Sequence, residues 1–152
     1  HPNIVPFIGV EPGNYACIVS EWMDNGDVLS YLEYHPSADR VRLITDIAHG
    51  LHYMHSNGLV HGDLHSRNVL VDKVGRARLV DFLLSTTLGT DSLATPTESS
   101  SRWVSVLYKA PELLDWAMNP TRTSESDVMN PTRTSESDVY AFGMTTWEVG
   151  IV

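Results

Sequence analysis

The 152-residue sequence is poor in cysteine, in basic residues and in long apolar runs, and each deficit removes a class of protein. Cys17 is the single cysteine, so no disulfide can form within the chain, which suits a reducing compartment. Lys and Arg number 10 against 19 Asp and Glu, for a formal net charge of -9. A nucleic-acid footprint or a polybasic membrane anchor needs a basic face, and this balance opposes both. No apolar stretch approaches the roughly 20 residues of a membrane-spanning helix, and the N-terminus lacks a basic-then-apolar signal pattern. The chain opens on His1 rather than Met, which reads as a piece of something longer. The expectation is an intracellular, cytoplasmic domain without nucleic-acid or membrane partners. With 42% hydrophobic and 19% charged residues, it has material for a core.

What is present divides into short elements. Residues 15–20 (YACIVS) read as a strand after the turn Pro12-Gly13-Asn14. The turn Asp24-Asn25-Gly26 precedes a short helix over 27–34. Ile44, Ile47, Ala48, Leu51 and Met54 recur at helical spacing, which predicts a long helix over 39–57 stopped by Asn57-Gly58. A hairpin follows: VLV at 69–71, the turn Asp72-Lys73-Val74-Gly75, and RARLV at 76–80. From Ser85 to Arg102 the composition shifts to Ser, Thr, Gly and Pro, expected to be a mobile loop that could hold regulatory phosphosites. Residues 137–150 restart a helix, apolar on several faces as a centrally buried helix should be.

MNPTRTSESDV occurs at 118–128 and again, letter for letter, at 129–139. Two copies of so short a unit do not make a solenoid, which stacks several repeats. An inserted duplication is the simpler reading. Only the second copy runs into YAFG, so the helix start is assigned to Ser137-Asp138.

The densest cluster of chemistry-bearing residues is HGDLHSRNVLVDKVGRARLVDF, residues 61–82. It sets Asp63 on a loop, Asn68 at the start of the hairpin and Asp81 at its end. Phosphoryl transfer needs this kit: one carboxylate to orient and deprotonate the attacking hydroxyl, plus an amide and a second carboxylate for Mg²⁺. Mg²⁺ takes hard oxygen ligands and relies on few protein groups. His49, His52 and His55 invite a zinc reading, but three-residue steps diverge around a helix and no fourth ligand is evident.

Two families share the local arrangement. His61-Gly62-Asp63, Asn68 and Asp81-Phe82-Leu83 resemble the HRD-xxxx-N and DFG signatures of protein kinases. Gly62 and His65 also resemble the aminoglycoside- and choline-type small-molecule kinases. The flanks favour the first. HPNIVPFIGV at 1–10 looks like the segment joining helix C to strand 4, and IVSEWMDNGDVLSYL at 18–32 resembles strand 5, the hinge and helix D. Ala110-Pro111-Glu112 matches the APE that closes the activation segment, and 137–143 looks like the start of helix F. The chain therefore resembles a eukaryotic protein kinase domain of the tyrosine-kinase-like group over nearly its whole length.

That resemblance implies an α+β, protein-kinase-like fold: mainly the helical C-lobe with the hinge and the strand 6–7 hairpin, the N-lobe being largely absent. Residues 1–26 would form the end of the N-lobe and the hinge, and 27–152 an incomplete C-lobe. Asp63 would be the catalytic base, and Asn68 and Asp81 the Mg²⁺ ligands. Arg67 stands where tyrosine kinases often carry an Arg facing the transferred phosphate. ATP would place its adenine against Glu21 and Met23 of the hinge, with Ser20 as gatekeeper and Leu70 beneath the ring. His61 and Phe82 would stack in the core, and Asp138 would brace the catalytic loop. Implied partners are a protein substrate and regulatory proteins.

Four departures qualify the match. There is no G-x-G-x-x-G, and the only lysines, Lys73 and Lys109, are misplaced for the nucleotide-anchoring lysine. Gly62 replaces the Arg of HRD. Leu83 replaces the Gly of DFG, restricting a backbone that is normally free. Extra residues stand between Trp103 and APE. The readings carried forward are a fragment of an ATP-dependent protein kinase, inactive by itself; a pseudokinase scaffold; and a small-molecule phosphotransferase.

Overall fold

The computed structural model describes residues 1–11, 17–81, 86–87, 106–118 and 133–151. Strands β1 (Phe7–Glu11) and β2 (Cys17–Ser20) pair antiparallel. Helix α1 (Val28–Tyr34) follows, its first amides bonded by the Asp27 carboxylate at 3.1 Å to both Leu29 and Ser30. Helix α2 (Arg40–Ser56) starts the same way, with Asp39 accepting from the Arg42 amide at 3.0 Å. Such side-chain acceptors satisfy amides that have no partner inside the helix. Gly58, at φ 70°, ends α2 in the left-handed conformation that glycine adopts without strain.

Leu43, Ile47, Leu51 and Met54 form the buried stripe of α2. Burial of each such side chain contributes about 1.5–3 kcal/mol. The stripe packs on the hairpin of β4 (Val69–Val71) and β5 (Ala77–Leu79), paired Val69↔Leu79, Leu70↔Arg78 and Val71↔Ala77. Alternation sorts this hairpin: Val69, Val71, Ala77 and Leu79 are fully buried, while Leu70 and Arg78 lie half-buried on the opposite face. Asp72 shapes the turn. One carboxylate oxygen accepts from the Val74 and Arg76 amides at 3.0 Å, and the other from Arg78 Nε and Nη2 at 2.9 and 2.8 Å. Burial would raise the Asp72 carboxyl, but these hydrogen bonds outweigh it and hold the group below its ordinary range.

The first residues run alongside β5 as a parallel edge. Leu79 N–H donates to Asn3 O at 3.0 Å, Val5 N–H to Leu79 O at 2.9 Å, and Asn3 Nδ2 to Ala77 O at 3.1 Å. Helix α2 crosses this edge so closely that a Cβ on Gly50 would sit 2.6 Å from Asn3 O. Strand β3 (Leu59–Val60) pairs with β6 (Thr86–Thr87). Helix α3 (Pro111–Met118) begins at a proline, whose missing N–H costs nothing at that position. Helix α4 (Ser135–Ile151) is tied to α2 by Arg40 Nη1, which donates to Val149 O at 2.7 Å.

Three expectations need correction. Helix α4 begins at Ser135, two residues before the start read from the sequence, because Thr134 and Ser137 bond each other's amides reciprocally and cap it there. Thr86–Thr87 is a strand, although the surrounding composition reads as loop; pairing with Leu59–Val60 overrides it. Helix α4 is not enclosed on every side: Ala141, Thr145 and Val149 are buried, whereas Val139, Tyr140, Trp147 and Ile151 are exposed. Phe82, Leu83, residues 119–132 of the duplicated block and the rest of 85–102 lie outside the described residues.

The Gly50 contact sets a two-sided test. Gly50→Ala should lower unfolding stability by about 1–3 kcal/mol, since the intruded atom is backbone that cannot swing away. Gly143→Ala, where a Cβ meets nothing within 4 Å, should raise it by roughly 0.5–1 kcal/mol. Urea midpoints of the two variants read both signs.

Candidate active site

The loop that carries Asp63 is built on three hydrogen-bonded anchors. The first is Asp138 in the first turn of α4, whose side chain is 2% exposed. Its Oδ2 accepts from the His61 amide at 2.7 Å and its Oδ1 from the Gly62 amide at 2.8 Å. His55 Nε2 lies 2.9 Å from the same Oδ2. Three donors offset the cost of taking this carboxylate out of water.

The second anchor is the His61 ring, which is fully buried. Nε2 lies 3.1 Å from Val80 O, and Nδ1 accepts the Asp63 amide at 3.3 Å. A carbonyl only accepts, so Nε2 carries the hydrogen and Nδ1 the lone pair. Only the neutral ring makes both bonds. Burial lowers the His61 pKa below its ordinary value, against the opposing pull of Asp138, Asp63 and Asp81. One imidazole thereby joins the backbone of Asp63 to the residue preceding Asp81.

The third anchor is Asn68, the last residue of a short 3-10 turn over Ser66–Asn68. Its Nδ2 donates to Asp63 O at 2.8 Å, and its backbone O accepts from Val80 N–H at 3.1 Å. With the amide nitrogen committed, Asn68 retains Oδ1 as a hard-oxygen donor. Asp81, exposed at the end of the hairpin, has φ 67°, a left-handed value that is unusual for a residue with a side chain. Such strain gathers at functional sites. An Asn oxygen and an exposed carboxylate fit the ligand preference of Mg²⁺, whose remaining positions are filled by water and phosphate oxygens. Among the described residues, no group of three His, Cys, Asp or Glu side chains could hold a metal ion.

Asp63 itself is 20% exposed, with His65 Nε2 3.8 Å from its Oδ2. His65 is buried, and burial pushes its pKa below the ordinary value. Arg67 lies exposed on the 3-10 turn. The nucleotide-binding candidates form a separate strip. Ser20 ends β2, Glu21 is exposed, and the Met23 side chain is buried. The strip is stitched to the hairpin: Val71 N–H donates to Gly26 O at 2.8 Å, and Asp27 bridges Leu70. Leu70 thus lies on the hairpin face away from the core, beside the segment that follows Met23.

Sequence reasoning missed Tyr108. Its hydroxyl donates to the Glu148 carboxylate of α4 and lies 3.3 Å from Ser66 Oγ, while its ring tilts against His65. Burial, reinforced by Glu148, pushes the phenol up to about 12. The only available signal was its place two residues before Ala110, which says nothing of partners in the loop and in α4.

Comparison with known proteins agrees with this geometry. The family model described as protein tyrosine and serine/threonine kinase matches residues 1–151. The chain belongs to the protein kinase family. Relatives include the serine/threonine/tyrosine-protein kinase HT1 of Arabidopsis thaliana, 34% identical over 98% of this chain and 35% of that protein. Ephrin type-A receptor 8 of Homo sapiens is 33% identical over 98% of this chain and 14% of the receptor. The dual specificity protein kinase zakA of Dictyostelium discoideum is 33% identical over 98% of this chain and 20% of its own length. The chain thus spans a third or less of the length of most of these kinases.

Gly62 replaces the family's Arg at φ 78°, held there by the Asp138 bonds. A Cβ in this left-handed conformation costs about 1 kcal/mol, and Asn tolerates it better than other residues. Gly62→Ala should therefore destabilise by about that amount and Gly62→Asn by less, read as urea midpoints. Equal midpoints for Ala and wild type would remove the backbone reason for this glycine.

Proposed function

We propose that this chain is the catalytic-loop half of an ATP-dependent protein kinase, in which Asp63 accepts the proton of a substrate hydroxyl. The supporting observation is the bonded set joining Asp63, Asn68 and the Val80–Asp81 corner through one neutral imidazole and one amide. In this reading Asn68 and Asp81 hold Mg²⁺ on the ATP phosphates, and Mg²⁺ supplies charge neutralisation when bound. Arg67, exposed beside Asn68, faces the transferred phosphate. Glu21 and Met23 offer backbone groups to the adenine edge, Ser20 stands behind it, and Leu70 supports the ring.

In domain terms, residues 1–26 contribute the last N-lobe strands and the hinge, and 27–152 the first part of the helical lobe, interrupted by the tandem block at 118–139. The partner is a protein carrying a Ser, Thr or Tyr hydroxyl, with regulatory proteins as further partners, in a cytoplasmic setting where ATP is supplied. Among the described residues, no helix is long and apolar enough to cross a membrane. The named relatives are protein kinases, which sets aside the small-molecule phosphotransferase alternative. A pseudokinase is the second reading, favoured by Leu83 and Gly62 in place of the family's Gly and Arg.

The 152-residue chain by itself should not transfer phosphate at a measurable rate, because catalysis here is positioning and charge stabilisation, and its sequence holds no G-x-G-x-x-G and no lysine but Lys73 and Lys109. In the longer protein, Asp63→Asn should lower peptide phosphorylation about 10²–10⁴-fold while largely sparing Mg²⁺-ATP binding. Radiolabelled ATP with a mixed peptide library and equilibrium dialysis measure the two. Wild-type phosphorylation by Asp63→Asn would defeat the assignment; ATP binding without transfer in the unmutated protein would establish the pseudokinase.

A further inference from the structure

The chain's positive charge is not spread evenly. Residues 38–46 and 72–78 together hold 5 of its 10 Lys and Arg against 3 of its 19 Asp and Glu, so this region runs opposite in sign to the whole. Both stretches line one hollow of about 100 Å³, bounded by Tyr31 of α1, the segment from Ala38 to Leu43, and Val74 and Gly75 of the hairpin turn. We propose that this hollow docks an acidic segment of a protein partner, seating one aliphatic side chain while the segment's carboxylates meet Arg42, Lys73 and Arg76. None of these residues belongs to the loop at 61–68, and the docking does not depend on phosphoryl transfer.

The carboxylates of this region are already engaged. Asp39 accepts from the Arg42 amide at 3.0 Å and Asp46 from the Ala77 amide at 3.2 Å. Asp72 accepts from the Val74 and Arg76 amides and from the Arg78 guanidinium. The cations divide differently. Arg40 is bonded to Val149 O, but Arg42, Lys73 and Arg76 are exposed, and among the described residues no hydrogen bond or ion pair engages their side chains. Beneath this rim the floor is apolar. Leu43 belongs to the core, and Tyr31 packs against it while its ring stacks on His35 with centroids 4.4 Å apart. Gly75, at φ 76°, keeps the turn close to Tyr31, where a Cβ would come 3.1 Å from the hydroxyl. Size and charge then choose the occupant. The hollow falls well short of the roughly 300–1,000 Å³ of a small-molecule pocket, yet it admits a single side chain. A nucleic-acid backbone satisfies cations but offers no aliphatic group to fill the floor, whereas an acidic peptide supplies both.

Fluorescence anisotropy on the full 152-residue chain reads the binding, with a short fluorescein-labelled peptide of Asp and Glu around a single Leu as the probe. The chain should bind it with a Kd below about 1 mM, and the affinity should fall as added salt screens the rim. Replacing the Leu of the peptide by Ser should weaken binding about tenfold, because the floor is then left unfilled. Reversing the rim with Arg42→Glu and Lys73→Glu together should weaken it about tenfold or more. Both positions are exposed, and an acidic residue in the first turn of α2 complements the helix dipole, so this variant should unfold at the wild-type temperature. Should it fail to fold, Arg76→Ser decides, with a loss of about threefold expected and an unchanged Kd counting against the rim. Equal affinity for the Ser-containing peptide would reduce the effect to general charge attraction, and equal affinity in the reversed variant would move the peptide elsewhere. Either result, displacement of the peptide by an equal concentration of a single-stranded oligonucleotide, or the absence of saturable binding overturns the proposal.

Discussion

Asp138 is a carboxylate in a place where carboxylates do not sit without strong partners. Removing such a charge from water is costly, and the cost is met only when its lone pairs find donors. The donors come from His61, Gly62 and His55, which belong to two different parts of the fold. The first turn of α4 and the loop at 61–63 therefore fold as one unit. If the loop moved away, a charge would be left buried with a single partner; if α4 lost its first turn, two loop amides would be left without acceptors. This mutual requirement makes the loop a rigid part of the molecule although it has almost no regular secondary structure.

From that anchor the order spreads inward. The fixed loop presents the His61 ring, whose two nitrogens connect Asp63 to Val80, and Asn68 closes the same circuit from the other side. In the proposed reading, the three oxygen-bearing groups that serve phosphoryl transfer are set by bonds through the backbone rather than by contacts among themselves. In that reading Asp63, with His65 Nε2 3.8 Å from its Oδ2, serves the substrate, and Asp81 the metal. The left-handed backbone at Asp81 is the local strain the circuit sustains.

Much of this was legible in the sequence where the determinants are local. Apolar spacing marked α2 and Asn57-Gly58 its stop, and the expected ranges 27–34 and 39–57 fall within a residue of the two helices' ends. The turn residues at 72–75 marked the hairpin, and the order of short motifs marked the family. What escaped was set by distant contacts. Gly62 reads in sequence as a missing cation; the structure shows a backbone angle that suits glycine. Asn3 reads as part of a motif, yet its work is to bond β5, some 74 positions away. Tyr108 and His55 give no local sign that they meet Glu148 and Asp138. The exposed face of α4 was misread because its composition is apolar all round, and composition does not say which neighbours are present.

That Asp138 presets the loop at 61–68 is open to one direct measurement: the ¹H–¹⁵N correlation spectrum of Asp138→Ala, recorded on the full chain without ligand. The account predicts that the amide signals of residues 61–68 lose their dispersion or broaden, while those of α1 keep their positions. A spectrum in which the signals of Asp63 and Asn68 stay where they are in the unmutated chain would contradict it.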